Sequence, residues 1–265
     1  MIYVLSFFID SDKNNMIKIL ILAFFLCMPF SSTLVAAEKE TTSSAKLIQV
    51  YKLQYVEREP GIDDYNVTML VSDRYIRLDE DGESSGFIIY DDEEKTIFSV
   101  SHHDKSVLVI NEFDFSESDM PAEIEIEYLQ LADAPKVSSN NIYNYRIFAK
   151  EKDIEETCME IQLVENLLPD VAQIMKNYQV VISGQQVKMT DNKLTDMQTA
   201  CFFADQIYNR GAYYDKGFPI QEWHSNERSR ILSTYKKTEV NSDIFSIPDG
   251  YNQFSIDNNS KTFIK

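Results

Sequence analysis

The chain is 265 residues long, 44% hydrophobic, with a net charge of −18. That apolar content exceeds what a disordered chain carries and suffices for one large core, so a single domain is expected. With only 7 Gly and 7 Pro it is neither collagen-like nor low in complexity, and its negative surface argues against nucleic acid as a partner.

The first 37 residues read as a targeting segment. Met16-Ile17-Lys18 gives a short positive start, Ile19 to Met28 an apolar run, and Pro29, Ser31, Ser32 and Thr33 a polar stretch before Val35-Ala36-Ala37. This is the order of a secretory signal cleaved after Ala37, with an apolar run shorter than the roughly 20 residues a bilayer span needs. Residues 1–15, with Asp10, Asp12 and Lys13, do not suit a signal. A start at Met16 accounts for them most simply; a longer signal or a membrane anchor is the alternative. Cys27 is expected to leave with the signal, since Phe25-Leu26 are too large for a lipidation box. Residues 1–37 hold two acidic and two basic residues, so the mature segment, 38–265, keeps the charge of −18. The expected location is periplasmic or secreted. In an oxidising compartment the remaining cysteines, Cys158 and Cys201, are expected to pair, a bond worth roughly 4 kcal/mol on a chain-entropy estimate.

From Ala45 to Phe113 the pattern has period two. Tyr51, Leu53 and Tyr55 alternate with Lys52 and Gln54; Val67, Met69 and Val71 repeat the alternation; Arg74 to Asp79 does so again. Phe87–Tyr90, Thr96–Val100 and Ser106–Ile110 follow at the spacing of a meander, parted by the acidic turns 79–83 and 91–95. Several of these strands are apolar on both faces, so something must cover the second face as well. Further strands are expected at Ile124–Leu131, Ile142–Ala149 and Cys158–Val164. The period then changes: Pro169 suits a first helical turn, and Val171, Ile174, Met175, Tyr178, Val181 and Ile182 recur at helical spacing. A second helix is expected from near Thr195 through Met197, Cys201, Ala204 and Tyr208, then strands at Ile220–His224, Arg230–Lys237 and Phe245–Pro248, with Gly250-Tyr251 beyond.

Few residues point to chemistry. His102-His103-Asp104 lacks further ligands at metal-binding spacing and reads as a hairpin turn, so no metal is expected. Asp79-Glu80-Asp81-Gly82 puts glycine too early for a calcium loop. Ser183-Gly184 lacks the flanking glycine of a nucleophile elbow, and no Gly-rich phosphate loop is present. No catalytic residue or cofactor is assigned. The basic island Arg228, Arg230, Lys236 and Lys237 reads as a solvated hairpin face or a partner contact. Asn66-Val67-Thr68 and Asn258-Asn259-Ser260 are chance sequons. The apolar helical stripe packs on the sheet or helps to line a cavity between sheet and helices. Met69, Met175, Met189 and Met197 would give such a cavity adaptable walls. Its lining would be drawn from Tyr51, Leu53, Tyr55, Met69, Phe87, Ile89, Met175 and Tyr178.

The layout resembles the LolA/LolB-like lipoprotein-carrier superfamily of Gram-negative envelopes, and the amino-terminal domain of periplasmic regulators of sigma-factor signalling is similar. The resemblance rests on Arg74–Asp79, Gly86–Asp91, Lys95–Val100 and the tail Phe245–Tyr251. The middle, with Leu167-Leu168-Pro169, Cys158, Cys201 and Gly217–Trp223, looks like a group of uncharacterised proteobacterial envelope proteins. The resemblance implies an open β half-barrel of α+β class, mainly antiparallel, with helices packed on its concave face. It implies a carrier that holds an acyl chain of a lipid or lipoprotein, or another hydrophobic group. The alternative is an envelope protein-interaction or stress-sensing module without a ligand, partnered by an envelope protein.

Overall fold

The structure, a computed structural model, describes residues 46–80, 86–116, 119–120, 123–131, 140–190, 199–257 and 260–264. The leader 1–37, the turn 81–85, the helix start at Thr195–Met197 and Asn258-Asn259 lie outside the described residues.

Alternating side chains in the first half build six strands: β1 (Leu47–Arg58), β2 (Tyr65–Val71), β3 (Tyr75–Glu80), β4 (Phe87–Asp91), β5 (Thr96–Ser101) and β6 (Ser106–Asn111). Each pairs antiparallel with the next. The acidic turns are built locally. Asp91 Oδ1 accepts from the backbone N–H groups of Glu93 and Glu94, closing the β4–β5 turn, while Arg74 grips the same carboxylate at 2.9 and 2.6 Å. Gly86, at φ +106°, admits the β5 backbone: a Cβ there would lie 2.0 Å from the Val100 carbonyl oxygen.

A second meander follows: β7 (Glu125–Leu131), β8 (Ile142–Glu151), β9 (Ile154–Val164), β10 (Phe218–His224) and β11 (Ser229–Asn241). Its last strand lies antiparallel to β1 from Leu47↔Asn241 to Arg58↔Ser229 and so fuses the two meanders. β12 (Asn252–Asp257) then runs parallel to β6, and β13 (Ser260–Ile264) closes on β12. The result is one sheet of 13 strands in the order β13-β12-β6-β5-β4-β3-β2-β1-β11-β10-β9-β8-β7. It is open, curved and mainly antiparallel, and the class is α+β.

Helix α1 (Pro169–Met189) lies against β3, β5 and β6. Val171, Ile174, Met175, Tyr178, Val181 and Ile182 are all buried, with Tyr178 edge-on to Tyr90 at 5.5 Å. From Val181 to Val187 every residue is buried, so this end of the helix is enclosed on all sides. Gly184 fits there because a Cβ would sit 2.7 Å from the Phe113 carbonyl oxygen. Helix α2 (Ala200–Phe203) is capped by Thr199 and continues as a wider turn, Ala204–Tyr208, on β8 and β9. Cys201 on α2 is bonded to Cys158 on β9, Cα–Cα 4.9 Å, in the core formed by Phe115, Ala149, Val187, Phe203 and Ile207. Among the described residues no helix is long and apolar enough to cross a membrane.

The second face of β3–β6 is covered by the segment before β12. Residues Phe245–Pro248, expected as a strand, instead begin as the last residue of a 3-10 turn (Ser242–Phe245) capped by Asn241 and continue as irregular chain, and Pro248 has no N–H to give a ladder. Phe245 stacks on Tyr75 at 5.3 Å; Ile247 and Tyr251 pack on Phe87, Ile89, Val100, Val107 and Val109. Arg77 lies over the Phe87 ring and donates to the Ile244 carbonyl. The apolar character of both faces is thus satisfied by a helix on the inner side and this strap on the outer.

Met175→Ala and Met189→Ala delete the same atoms from one helix, at 0% and 42% exposure. Chemical denaturation should show a loss of about 2–5 kcal/mol for the first and about 0.5 kcal/mol or less for the second. Non-reducing peptide mapping should join the Cys158 and Cys201 peptides, and reduction should cost about 2–5 kcal/mol.

Candidate functional site

The expected cavity lining is divided by the pleat. Tyr90 meets Tyr178, so its neighbours Ile89 and, by the same alternation, Phe87 face the opposite side, where they join the Tyr251 cluster. Leu53, Tyr55, Met69, Met175 and Tyr178 do share the inner side, with Tyr51 further along β1 and partly exposed, under Lys237. Leu53, Met69 and Met175 are 0% exposed and Tyr178 is 1%.

Towards β10 the inner face becomes charged. Glu57 continues the alternation Leu53, Tyr55, Glu57 and stands opposite Arg230, with Glu222 next across the ladder. All three are buried. Arg230 Nε lies 3.1 Å from Glu57 Oε1, and its guanidinium rests on the Tyr55 ring at 3.9 Å. Tyr65 donates to Glu59 Oε1 at 2.8 Å and lies 3.2 Å from Glu57 Oε2. Arg228 Nε is 3.9 Å from Glu59, and His224 stands 3.8 Å from Glu222 and 3.6 Å from Asp205. Tyr213 and Tyr214, from a 3-10 turn (Ala212–Asp215), are buried there, their rings tilted by 36° with centroids 4.7 Å apart.

Electrostatics explains how these charges endure burial. Desolvation alone would raise the Glu57 carboxyl, but Arg230, the Tyr65 hydrogen bond and Arg228 together hold it below the ordinary glutamate range. Burial opposes the Arg230 charge too, and the Glu57 and Glu222 carboxylates outweigh it, so the guanidinium is held above its usual value. Burial pushes the Tyr55, Tyr213 and Tyr214 phenols upward, leaving them neutral. The two arginines of the expected basic island therefore meet carboxylates, Arg230 buried beside Glu57 and Arg228 half-buried at the edge near Glu59, while Lys236 and Lys237 are exposed.

The other side of the same strands carries a cleft of ≈ 200 Å³ lined by Val56, Arg58, Asp64, Trp223, His224, Glu227, Arg228, Ser229 and Ile231. Trp223, the one tryptophan of the chain, is 38% exposed at its rim. Arg58 is fixed by two hydrogen bonds to Asp64 at 2.8 and 2.9 Å. A second cleft, of ≈ 270 Å³, sits at the start of α1 between Glu165, Pro169, Lys176, Asp215 and Lys216; there Lys176 is already paired with Asp215.

His102 belongs to the β5–β6 turn, where its Nδ1 meets the Tyr251 hydroxyl at 2.7 Å and its ring meets Phe87. Its role is to fasten the outer strap. Among the described residues no group of three or more His, Cys, Asp or Glu side chains is placed to hold a metal ion. The buried Glu57, Glu59 and Glu222 were not among the expected site residues. Their available signal is an acidic side chain at an inward position of an otherwise apolar alternation.

No family model matches the chain, and no curated protein matches it. Two solved structures of PNGF-II, in C2 and P21 space groups, are similar over 79% and 78% of this chain, at 9% and 8% identity and TM-scores of 0.37 and 0.39. The chain covers 31% and 32% of those proteins, about a third of their length. A likeness at this level carries no argument about fold or chemistry.

Removing one partner of the buried pair should be costly: Arg230→Met is expected to lose about 3–5 kcal/mol, and the double change Glu57→Leu/Arg230→Met to lose less, read by urea unfolding. Because Glu57 titrates lower in the folded chain than in the unfolded one, its contribution is full above the ordinary glutamate pKa and is lost as pH falls through its folded value. Glu57→Gln should therefore flatten the acid limb of stability against pH.

Proposed function

We propose that this chain is an exported, non-catalytic envelope protein that works by binding a protein partner at its surface. The observation that carries this reading is an exposed tryptophan, Trp223, at the rim of a surface cleft. Leu53, Met69, Met175 and Tyr178 are buried at 0–1% exposure and offer no surface to a partner. On the outer side Trp223, Val56 and Ile231 form a partly apolar patch bordered by Arg58 and Arg228, and Trp and Arg are the residue types that most often anchor protein interfaces.

Export is supported by the signal-like order of residues 16–37 and by the Cys158–Cys201 bond, which suits an oxidising compartment. The resemblance to envelope carriers supports the same address. The buried charges are matched to one another, Glu57 with Arg230 and Glu59 with Tyr65 and Arg228, as in a structural network.

A photo-crosslinking residue placed at Trp223 in the whole chain, expressed in an envelope-bearing host, should give a discrete protein adduct. Substituting Arg58→Glu should reduce it, and native mass spectrometry of the purified protein should show the bare chain mass. Co-purified lipid with uptake of a fluorescent fatty acid, and no adduct from Trp223, would instead make the chain a carrier and end this reading.

A further inference from the structure

β11 is a central strand for only part of its length. Its ladder to β1 runs from Ser229 to Asn241, but β10 pairs with it only at Ser229, Arg230 and Ile231. Next comes a bulge: between Gln54 and Tyr55 the register slips by one, leaving Ser233 unpaired, and its hydroxyl donates to the Gln54 carbonyl at 2.9 Å. Bulges end pairing by bending a strand away from its neighbour. From Leu232 to Val240 the β10-side edge has no partner among the described residues. Residues Ser233 to Lys237 are all exposed, Tyr235 at 47%.

The charge on this edge is also out of keeping with the chain. Lys236 stands directly opposite Lys52, and Lys237 opposite Tyr51, with its ammonium 5.0 Å from that ring. Like charges directly opposed across a ladder destabilise it. Among the described residues, none of Lys52, Lys236 and Lys237 has a carboxylate partner, although the chain holds 43 acidic residues against 25 basic ones.

The geometry points to a strand-addition site along the β11 edge, from Leu232 to Val240, for an extended acidic segment of a protein partner. The open ladder supplies main-chain hydrogen bonds; Lys52 and Lys236 on one face, and Lys237 on the other, supply the charge an acidic strand requires. Tyr235 offers an exposed ring to its side chains. A second copy of the chain suits the edge less well, because pairing two β11 edges about a two-fold axis centred on the lysines sets Lys236 and Lys237 against themselves. This inference rests on the surface-binding reading above and names the chemistry of what is bound.

The probe is a labelled peptide of about ten residues alternating threonine and glutamate, titrated into the full chain and followed by fluorescence anisotropy. Saturable binding is expected, weakened about tenfold or more by Lys236→Glu/Lys237→Glu, both solvent-facing changes, and weakened by salt. Two further peptides, N-methylated at the odd or at the even positions, test the ladder without any change to the protein. A strand on an edge turns only alternate N–H groups towards it, so one peptide should lose binding and the other keep it. No saturable binding, unchanged binding by the lysine variant, or equal binding of the two methylated peptides would overturn the site. If the peptide fails while Trp223 still crosslinks, the strand-addition site falls and the surface-binding reading stands; if both fail, both fall.

Discussion

The antiparallel seam between β1 and β11 is the constraint on which the rest of the molecule depends. The first meander is locally connected, strand to next strand, and the second is so except between β9 and β10, where both helices intervene. What makes them one sheet is the ladder from Leu47↔Asn241 to Arg58↔Ser229. The buried pair Glu57–Arg230 sits on this seam, under Tyr55 and beside Tyr214. A register slip of one residue would turn Arg230 to the outer face and strand Glu57 among tyrosines, a cost of several kcal/mol for an unpaired buried charge. The ion pair thus penalises wrong registers at a place where apolar alternation alone is weak, because β11 is largely exposed beyond Leu232.

A sheet buried on both faces needs two covers, and they come from chemically different sources. On the inner face α1 presents a continuous apolar stripe whose far end is enclosed by the Phe113 backbone at Gly184. The outer cover is a strap of irregular chain, held by separate contacts: Phe245 on Tyr75, Arg77 on the Ile244 carbonyl, and Tyr251 on His102. The strap then feeds β12 into parallel register with β6, so it is anchored at both ends. With both faces covered, the exposed Trp223 and Tyr235 and the lysines Lys236 and Lys237 lie at the rim and edge of the sheet.

Much of this was legible in the residues because the signals are local. Period two in Tyr51, Leu53 and Tyr55, the helical spacing from Val171 to Ile182, and the two-faced apolar runs at Phe87–Tyr90 and Ser106–Ile110 each correspond to an element of the expected kind. Two cysteines in a chain with a leader-like start sufficed to expect their bond. The failures are of another sort. Phe245–Pro248 carries the apolar content of a strand, but Asn241 caps a 3-10 turn and Pro248 cannot donate, so the backbone chose otherwise. Ile89 and Phe87 were grouped with Tyr178 on apolarity, although they are one and three residues from Tyr90 and so face away. Arg228 and Arg230 look like Lys236 and Lys237 in a sequence; only long-range register reveals that Glu57 and Glu59 await the first two, while among the described residues no carboxylate meets the others.

The seam also sets a timetable. Ser233 bonds to Gln54 across 179 residues of chain, so β1 must wait for its mate until the distant β11 has been made. During that interval the first meander has an apolar strand, β1, with one ladder side bare, which is a template for aggregation. Closure by such distant partners is slow by the entropy of the loop alone. In a chain built this way the two edges that meet at the seam, β1 and β11, lie near opposite ends of the described sequence, so the last contacts to close are the ones that join the sheet.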